Sequence, residues 1–256
     1  MSLFKLHIEG KDQVYLKLRM DFLEKNEKQI QKEVASHIGR LLREAFGKGP
    51  QSIFVNISRP FIVIYLRNFL SPTEKILLQQ DQVNSVQHTR DLVMKSLMPE
   101  IKAYLLLLAG MNIREFYYDW GFHNHSGMLV GIEAEDDSLG FRPQERYTGK
   151  EELHDEIDRI SHQIQKKPDE TYSYMINDRT LLVVRRGILI SIGKELIRLG
   201  FEESLKLAER NLEKNYLINS SRFQEIIKSQ ILDVFVDWDF HEDKSVIVFI
   251  LNPNPK

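Results

Sequence analysis

Two copies of one short phrase constrain this chain more than any other feature. The first copy reads DWGFH from Asp119 to His123, the second reads DWDFH from Asp237 to His241, and together they hold both tryptophans of the 256 residues. They are separated by 237 − 119 = 118 residues, nearly half of the chain. Because self-similarity at a fixed distance is the sequence signature of repeated structure, we expect two related units.

The sequence upstream of each phrase repeats as well. At an offset of 171 − 52 = 119 residues, the segment from Ser52 aligns with the segment from Thr171. Farther upstream, both copies carry apolar residues at the i, i+4, i+7 and i+11 positions of an amphipathic helix, namely Val34, Ile38, Leu41 and Ala45 in the first and Leu153, Ile157, Ile160 and Ile164 in the second. The offset falls from 119 upstream to 118 at the DWxFH phrases, so the second copy has lost one residue in between. The pattern predicts an internal duplication.

Each copy predicts the same order of elements: a helix, a hairpin, a helical middle and a second hairpin that contains the DWxFH strand. The helical middle of the first copy opens at Ser71, with Pro72 at the first helical position and Glu74 completing a capping box. Ser71 is therefore expected to be a cap and not a nucleophile. Hairpins on both sides of a helical middle favour an α+β fold, in which helices cover one side of an antiparallel sheet in each copy.

The predicted organisation has four segments. Residues 1–26 stand outside the repeat, and apolar and polar side chains alternate in them from Val14 to Phe22. This alternation favours an N-terminal strand or hairpin, although a helix that continues into the first repeat fits nearly as well. Residues 27–133 form the first repeat and residues 150–252 form the second. Residues 134–149 are polar, with two glycines and a proline, and are expected to form the linker.

Composition excludes several classes of protein. The chain has no cysteine, which removes disulfides, thiolate metal sites and a cysteine nucleophile, and a reducing cytoplasm is the expected location. The longest apolar run, Ala103 to Met111, is shorter than the roughly 20 residues of a transmembrane helix. The formal charge is −2, from 35 basic and 37 acidic residues, so we expect no nucleic-acid partner.

The paired phrases supply the candidate ligand-binding residues. On a strand, Trp120 points to one face, which we expect to be a core face, while Asp119 and His123 point to the other. The backbones of Asp119 and His123 lie roughly 13 Å apart on a strand, too far for a hydrogen bond between their side chains. The four candidates for ligand binding are Asp119, His123, Asp237 and His241.

A metal site is a weaker hypothesis. Imidazole and carboxylate groups near the turns after the DWxFH strands are acceptable ligands, and the candidates are His123, His125, His241 and Asp243. The sequence defines no third ligand in either copy, so we predict no metal and no cofactor. Arg185 and Arg186 could hold an anion, but such a pair near a strand end is more often a solvated edge. The sequence shows no convergent set of nucleophile, base and oxyanion-binding groups, and this disfavours an enzyme.

The segment from Phe46 to Leu78 resembles the MpsC-like domain. The resemblance is carried by a helix that ends in Gly-Lys-Gly-Pro at residues 47–50, the hairpin after it, the Leu-Ser-Pro-Thr-Glu helix start at residues 70–74 and the late strand with Asp119. It covers residues 27–133 well and recurs in degraded form from about 150 to 252. There, KKPD keeps only part of the first turn and ISIGKE replaces the helix start.

The resemblance implies a function as well as a fold. The MpsC-like family is bacterial, has no established catalytic residue and takes its name from a sodium-translocating, membrane-potential-generating system. It implies a cytosolic domain encoded alongside a membrane cation or bicarbonate system, so we expect a non-enzymatic accessory or regulatory component and a peripheral membrane partner. The alternative is a small-ligand or metal-binding sensor that uses the paired DWxFH strands, and an enzyme of unrecognised type is a third possibility.

Duplication also predicts how the two copies meet. Homodimers with two-fold symmetry are the commonest oligomers, and fusing such a dimer gives one chain whose halves are related by an approximate two-fold axis. We therefore expect a monomer in solution that is an intramolecular pseudo-dimer. The run from Ala103 to Met111 is apolar nearly all round, so the long middle helices are expected to form part of an apolar interface.

Overall fold

The protein is an α+β fold made of two similar halves, as predicted. The computed structural model describes residues 26–133 and 144–252, so the predicted N-terminal strand or hairpin lies outside the described residues except for residue 26. Each half contains a four-stranded antiparallel sheet, with strand order β1-β2-β4-β3 in the first half and β5-β6-β8-β7 in the second.

The elements follow the predicted order in both halves. In the first half they are α1 (residues 26–46), β1 (Ser52–Ser58), β2 (Phe61–Arg67), α2 (Pro72–Gln79), α3 (Val83–Ala109), β3 (Ile113–Gly121) and β4 (Ser126–Glu133). In the second half they are α4 (Lys150–Ile164), β5 (Glu170–Asn177), β6 (Thr180–Arg186), α5 (Ser191–Arg198), α6 (Glu202–Asn219), α7 (Arg222–Ile227), β7 (Gln230–Asp239) and β8 (Lys244–Asn252).

The start of α2 confirms the predicted cap. The Ser71 side chain accepts a hydrogen bond from the Glu74 amide, and the Glu74 carboxylate accepts one from the Ser71 amide. These two bonds satisfy backbone donors that the first turn of a helix leaves without partners. Ser71 is thus fully explained as a capping residue.

Backbone conformation repeats between the halves in detail. Left-handed φ angles, which favour Gly, Asn and Asp, occur at matched positions that end helices or turn the chain. The matched pairs are Asn68 and Gly187, Asp81 and Gly200, Gly110 and Lys228, and His125 and Asp243. The first two pairs are 119 residues apart and the last two are 118 apart. The lost residue therefore lies in the helical middle, where α6 and α7 are separate helices and α3 is continuous.

The two sheets pack face to face, and the helices cover their outer faces. The layer between the sheets is built from both halves and includes Val63, Val130, Leu182 and Val248, all buried. The opposite face of each sheet packs on helices of its own half, around Trp120 in the first and Trp238 in the second. Because both faces of β4 and β8 are covered, these strands are buried along nearly their whole length.

The predicted apolar interface of long helices is wrong. The halves meet through their sheets, and the run from Ala103 to Met111 lies on the outer layer, where Leu106 is 53% and Leu107 is 84% exposed. Successive residues of an α-helix point about 100° apart, so four consecutive leucines cannot all face one sheet. Leu105 is buried against the first sheet, whereas Leu106 and Leu107 are left on the surface.

The predicted alignment of β1 with β5 at an offset of 119 is also wrong by one residue. Phe54 pairs with Tyr65 across the first hairpin, and Tyr172 pairs with Val184 across the equivalent hairpin. Tyr65 and Val184 correspond at an offset of 119, so Phe54 corresponds to Tyr172 at an offset of 118. An irregularity between Met175 and the end of β5 accommodates the extra residue, and without it every side chain of the strand would change face.

Residues 1–135 expressed alone should form a dimer or aggregate. This half would expose the apolar face that the second sheet covers in the full chain, including Val63 and Val130. Size-exclusion chromatography with light scattering should give a mass near 30.1 kDa for the full chain. If the half behaves as a stable monomer, its inner sheet face needs no partner and the pseudo-dimer account is wrong.

Candidate functional site at the junction of the two sheets

The two DWxFH phrases meet where the edge strands β3 and β7 approach each other. The Tyr118 amide donates a hydrogen bond to Asp237 Oδ2 (2.8 Å), and the Val236 amide donates one to Asp119 Oδ2 (2.9 Å). Tyr118 corresponds to Val236 and Asp119 corresponds to Asp237 at the offset of 118. Such a reciprocal contact is what a two-fold axis between like surfaces produces. The two aspartates therefore join the halves at the pseudo-two-fold axis.

Each of these aspartates also binds the strand that carries it. Asp119 Oδ1 accepts a hydrogen bond from the Trp120 amide (2.7 Å), and Asp237 Oδ1 accepts one from the Trp238 amide (2.8 Å). Edge strands present backbone groups without ladder partners, and here the carboxylates satisfy them. Both aspartates are fully buried. Since a buried charge is costly unless it is paired, this arrangement requires cations nearby.

Helix α6 supplies those cations from one side. Lys206, Arg210 and Lys214 are spaced i, i+4 and i+8, so they share one face of the helix. Arg210 donates to Asp237 Oδ1 through Nη2 (2.6 Å) and Nε (3.0 Å), and Lys206 Nζ lies 2.9 Å from the same oxygen. Lys214 Nζ donates to Asp119 Oδ1 (3.0 Å). One helix of the second half therefore neutralises an aspartate of each half.

Further contacts tie α6 to the backbone of the first half. Arg210 Nη2 donates to the Tyr118 carbonyl (3.0 Å), and Lys214 Nζ donates to the Trp120 carbonyl (2.9 Å). With Asp119 and Asp237 on the amide side, both kinds of backbone group on this stretch of β3 are satisfied by charged side chains. Charge-assisted hydrogen bonds of this kind are stronger than neutral ones.

The first half has no equivalent set of bases. The positions of α3 that correspond to the three bases of α6, at an offset of 119, are Gln87, Asp91 and Lys95. The Asp91 carboxylate lies 3.4 Å from Arg210 Nη1, and Lys95 instead pairs with Glu203 on the surface. Each half thus contributes one of the two central aspartates, whereas all three bases come from the second half. Three carboxylates and three cations balance within the network.

The surroundings change the pKa values of these groups in opposite directions. Burial disfavours the charged form of Asp237, but Arg210 and Lys206 outweigh it and hold the pKa of this carboxyl below its ordinary value. At Asp91, burial dominates over the attraction of Arg210 and raises the pKa. The nearby carboxylates raise the pKa of Arg210 despite its burial. Asp237 is therefore stabilised as a carboxylate, which suits an ionic crosslink and not a proton donor.

Both tryptophans are buried, as the sequence predicted, and each lies against a buried guanidinium. Arg90 from α3 lies 4.5 Å from the centre of the Trp120 ring, and Arg185 from β6 lies 5.5 Å from that of Trp238. The prediction that Arg185 belongs to a solvated edge is wrong, because it is 1% exposed and forms a bidentate ion pair with Glu213 at 2.8 Å. Each half thus places a cation on its own tryptophan ring, but the cation comes from a helix in the first half and from a strand in the second.

The remaining sequence candidates lie at the turns that follow β3 and β7. The side chain of His123 is 57% exposed, with Nε2 3.6 Å from Asp233, and that of His241 is 77% exposed. His125 and Asp243 occupy matched left-handed turn positions. Within residues 26–133 and 144–252, no group of three or more His, Cys, Asp or Glu side chains is placed to hold a metal ion. The structure brings Asp119 and Asp237 together and leaves the side chains of His123 and His241 exposed on turns.

Comparisons with known proteins agree with the two-half structure. A family model described as MpsC, Na+-translocating membrane potential-generating system, matches residues 26–134 and 147–253. A curated relative, Uncharacterized protein YbcI of Bacillus subtilis (strain 168), is 24% identical over 109 residues, which is 42% of this chain and 88% of that protein. No solved structure matches this chain. None of the helices described here is long and apolar enough to cross a membrane.

Substituting Arg210 by Met should lower the free energy of unfolding by about 3–5 kcal/mol, because it leaves Asp237 buried with one of its cations removed. Lys95→Met is the matched control, since it removes an exposed cation that pairs with Glu203 and should cost less than about 1 kcal/mol. Urea denaturation of both variants measures the difference. An Arg210→Met protein as stable as the control would show that the network does not hold the halves together.

Proposed function

The chain belongs to the MpsC family, and on that premise we propose that it is a non-enzymatic accessory component of a membrane ion-translocating, potential-generating system. The observation that carries the proposal is the family match itself, which spans both halves at residues 26–134 and 147–253. In this role the chain acts on the cytoplasmic side, as a peripheral partner that binds and regulates the membrane assembly. The two halves of the pseudo-dimer carry different helical surfaces, and one of them contacts that assembly.

The geometry of the central site supports a binding role. Asp119 and Asp237, the acids that the repeated phrase singles out, each bind two backbone amides and at least one cation. A carboxylate whose oxygens are occupied in this way is not available to accept a proton from a substrate. The phrase therefore works as a crosslink between the two halves, which favours a scaffold for protein partners over a catalytic site.

The surface of α5 supports a docking face on the second half. Ile192 is 61% exposed, Leu199 is 54% exposed and Phe201, in the turn after the helix, is 53% exposed. Ile192 and Leu199 are seven residues apart and so share one side of the helix, and exposed apolar side chains that form one surface mark interaction sites. At the corresponding positions, at an offset of 119, the first half carries Thr73, Gln80 and Gln82. We refer to Ile192, Leu199 and Phe201 as the α5 face and propose that it contacts the membrane assembly.

Affinity purification from the native host tests this function. The tagged full chain, extracted with mild detergent, should enrich a polytopic protein of an ion-translocating system over a tag-only control. A variant with Ile192, Leu199 and Phe201 all changed to Glu should reduce that enrichment by at least about 10-fold, because charged side chains cannot be buried in an apolar contact. Quantitative mass spectrometry of the eluates measures both effects.

Leu107→Glu is the control for this experiment. Leu107 is the most exposed large apolar side chain described and lies on the first half, so its substitution should leave the enrichment unchanged. Two results would contradict the proposal. One is a wild-type eluate that contains no such membrane protein above the tag-only level, and the other is equal enrichment by the wild type and the α5-face variant.

A further inference from the structure

One end of the layer between the two sheets is open. A cleft of about 470 Å³ lies there, between β1 and β2 of the first sheet and the turn after β5, the start of β7 and the end of β8 of the second. We call it the open cleft, and its lining includes Phe54, Asn56, Tyr65, Arg67, Asn124, Arg179, Thr180 and Asp233. Its volume is within the range of small-molecule sites in proteins.

The opposite, pseudo-two-fold-related end of the same layer is filled. There Tyr174 from β5 packs on Phe61 from β2, with ring centres 4.7 Å apart. Phe61 belongs to the core between the sheets, and Tyr174 is partly buried against it. The corresponding residues at the open end are Asn56, at an offset of 118, and Thr180, at an offset of 119. An amide and a hydroxyl have replaced two rings. The open cleft therefore exists because small polar side chains stand where the filled end has two rings.

Two arginines give the open cleft a positive charge. Within the described residues, the side chains of Arg67 and Arg179 form no hydrogen bond or ion pair. The counterpart of Arg67 at the filled end is Arg186, whose guanidinium lies 3.7 Å from Glu170. Glu170 pairs with Arg186 across the hairpin, and the residue that pairs with Arg67 is Ser52. The second half therefore has a glutamate opposite this arginine, and the first half has a serine there, which carries no charge.

The acid inside the open cleft is already satisfied. Asp233 is buried, and its carboxylate accepts hydrogen bonds from the Tyr65 hydroxyl (2.7 Å) and from Asn124 Nδ2 (2.9 Å). Among the described residues it forms no ion pair with Arg67 or Arg179, so the lining holds two guanidinium cations against this one carboxylate and keeps a net positive charge. Its bond to the hydroxyl also fixes the orientation of the Tyr65 ring, which forms part of the wall.

An aromatic wall lies beside the positive charge. Phe54 is 46% exposed and stacks with Tyr65, with ring centres 6.2 Å apart and planes inclined by 26°. An exposed ring pair offers a flat apolar surface on which another ring can stack. The same cleft thus offers guanidinium donors for an anionic group and a stacking surface for a planar one.

We propose that the open cleft binds a small anion that carries a planar ring, such as a nucleotide. Arg67 and Arg179 hold the anionic group, because the guanidinium fork matches the geometry of phosphate and carboxylate oxygens. Phe54 and Tyr65 hold the ring. This site is separate from the α5 face, so the proposal stands or fails independently of the membrane partner.

Isothermal titration calorimetry with the full chain tests the site, with the nucleoside monophosphates AMP, GMP, CMP and UMP as probes. At least one of them should bind more tightly than its nucleoside, which lacks the anion, and than inorganic phosphate, which lacks the ring. Arg67→Gln should weaken that binding by at least about 10-fold, the effect of losing a charge-assisted hydrogen bond. Arg186→Gln, at the filled end, is the matched control and should change it by less than about 2-fold.

A second variant tests the cleft without removing a charge. Asn56→Tyr restores the ring found at the filled end, so it should occupy the open cleft and abolish binding while both arginines remain. The proposal is overturned if none of the four nucleotides binds, or if the nucleoside or inorganic phosphate binds as tightly as the nucleotide. It is also overturned if Arg186→Gln weakens binding as much as Arg67→Gln, or if folded Asn56→Tyr protein binds like the wild type.

Discussion

The structure depends on two reciprocal hydrogen bonds between carboxylates and backbone amides. Asp237 binds the Tyr118 amide and Asp119 binds the Val236 amide, so each edge strand obtains from the other half a partner that its own sheet cannot supply. Burying two carboxylates demands cations, and α6 provides them to both halves. A buried ion pair adds little net stability compared with apolar packing, but losing one partner is costly. The main effect of the network is therefore to specify one arrangement of the two halves, and its net contribution to the stability of that arrangement is small.

Divergence of the copies around this fixed centre explains the other features of the molecule. The central aspartates must both remain because each satisfies the opposite strand, whereas the bases can come from one helix alone. Positions away from the axis carry no such constraint. The filled end of the inter-sheet layer keeps Tyr174 against Phe61 while the other end is open, and the α5 face carries exposed apolar side chains at three positions where the corresponding residues of the first half are polar. A duplicated chain can thus present two different surfaces on one symmetric frame.

Sequence reasoning succeeded where a pattern has one local cause. The duplication, the capping box at Ser71 and the burial of Trp120 follow from spacing, cap chemistry and strand alternation. It failed where the cause lies in the other half. The stripe formed by Lys206, Arg210 and Lys214 has the same spacing as a solvated helix face, and only the position of α6 over two buried aspartates distinguishes them. Likewise, no local signal places Arg185 beside Glu213, because its partner is contributed by a distant helix.

Hydrogen exchange of the Tyr118 and Val236 amides, followed by NMR, tests the central claim most directly. Both amides lie on edge strands, yet their acceptors are buried carboxylates of the opposite half. The account predicts that they exchange only on global unfolding, as slowly as the amides of the central strands β4 and β8. If they exchange as fast as the solvent-facing amides of the outer edge strand β1, the aspartates do not join the halves and the account is contradicted.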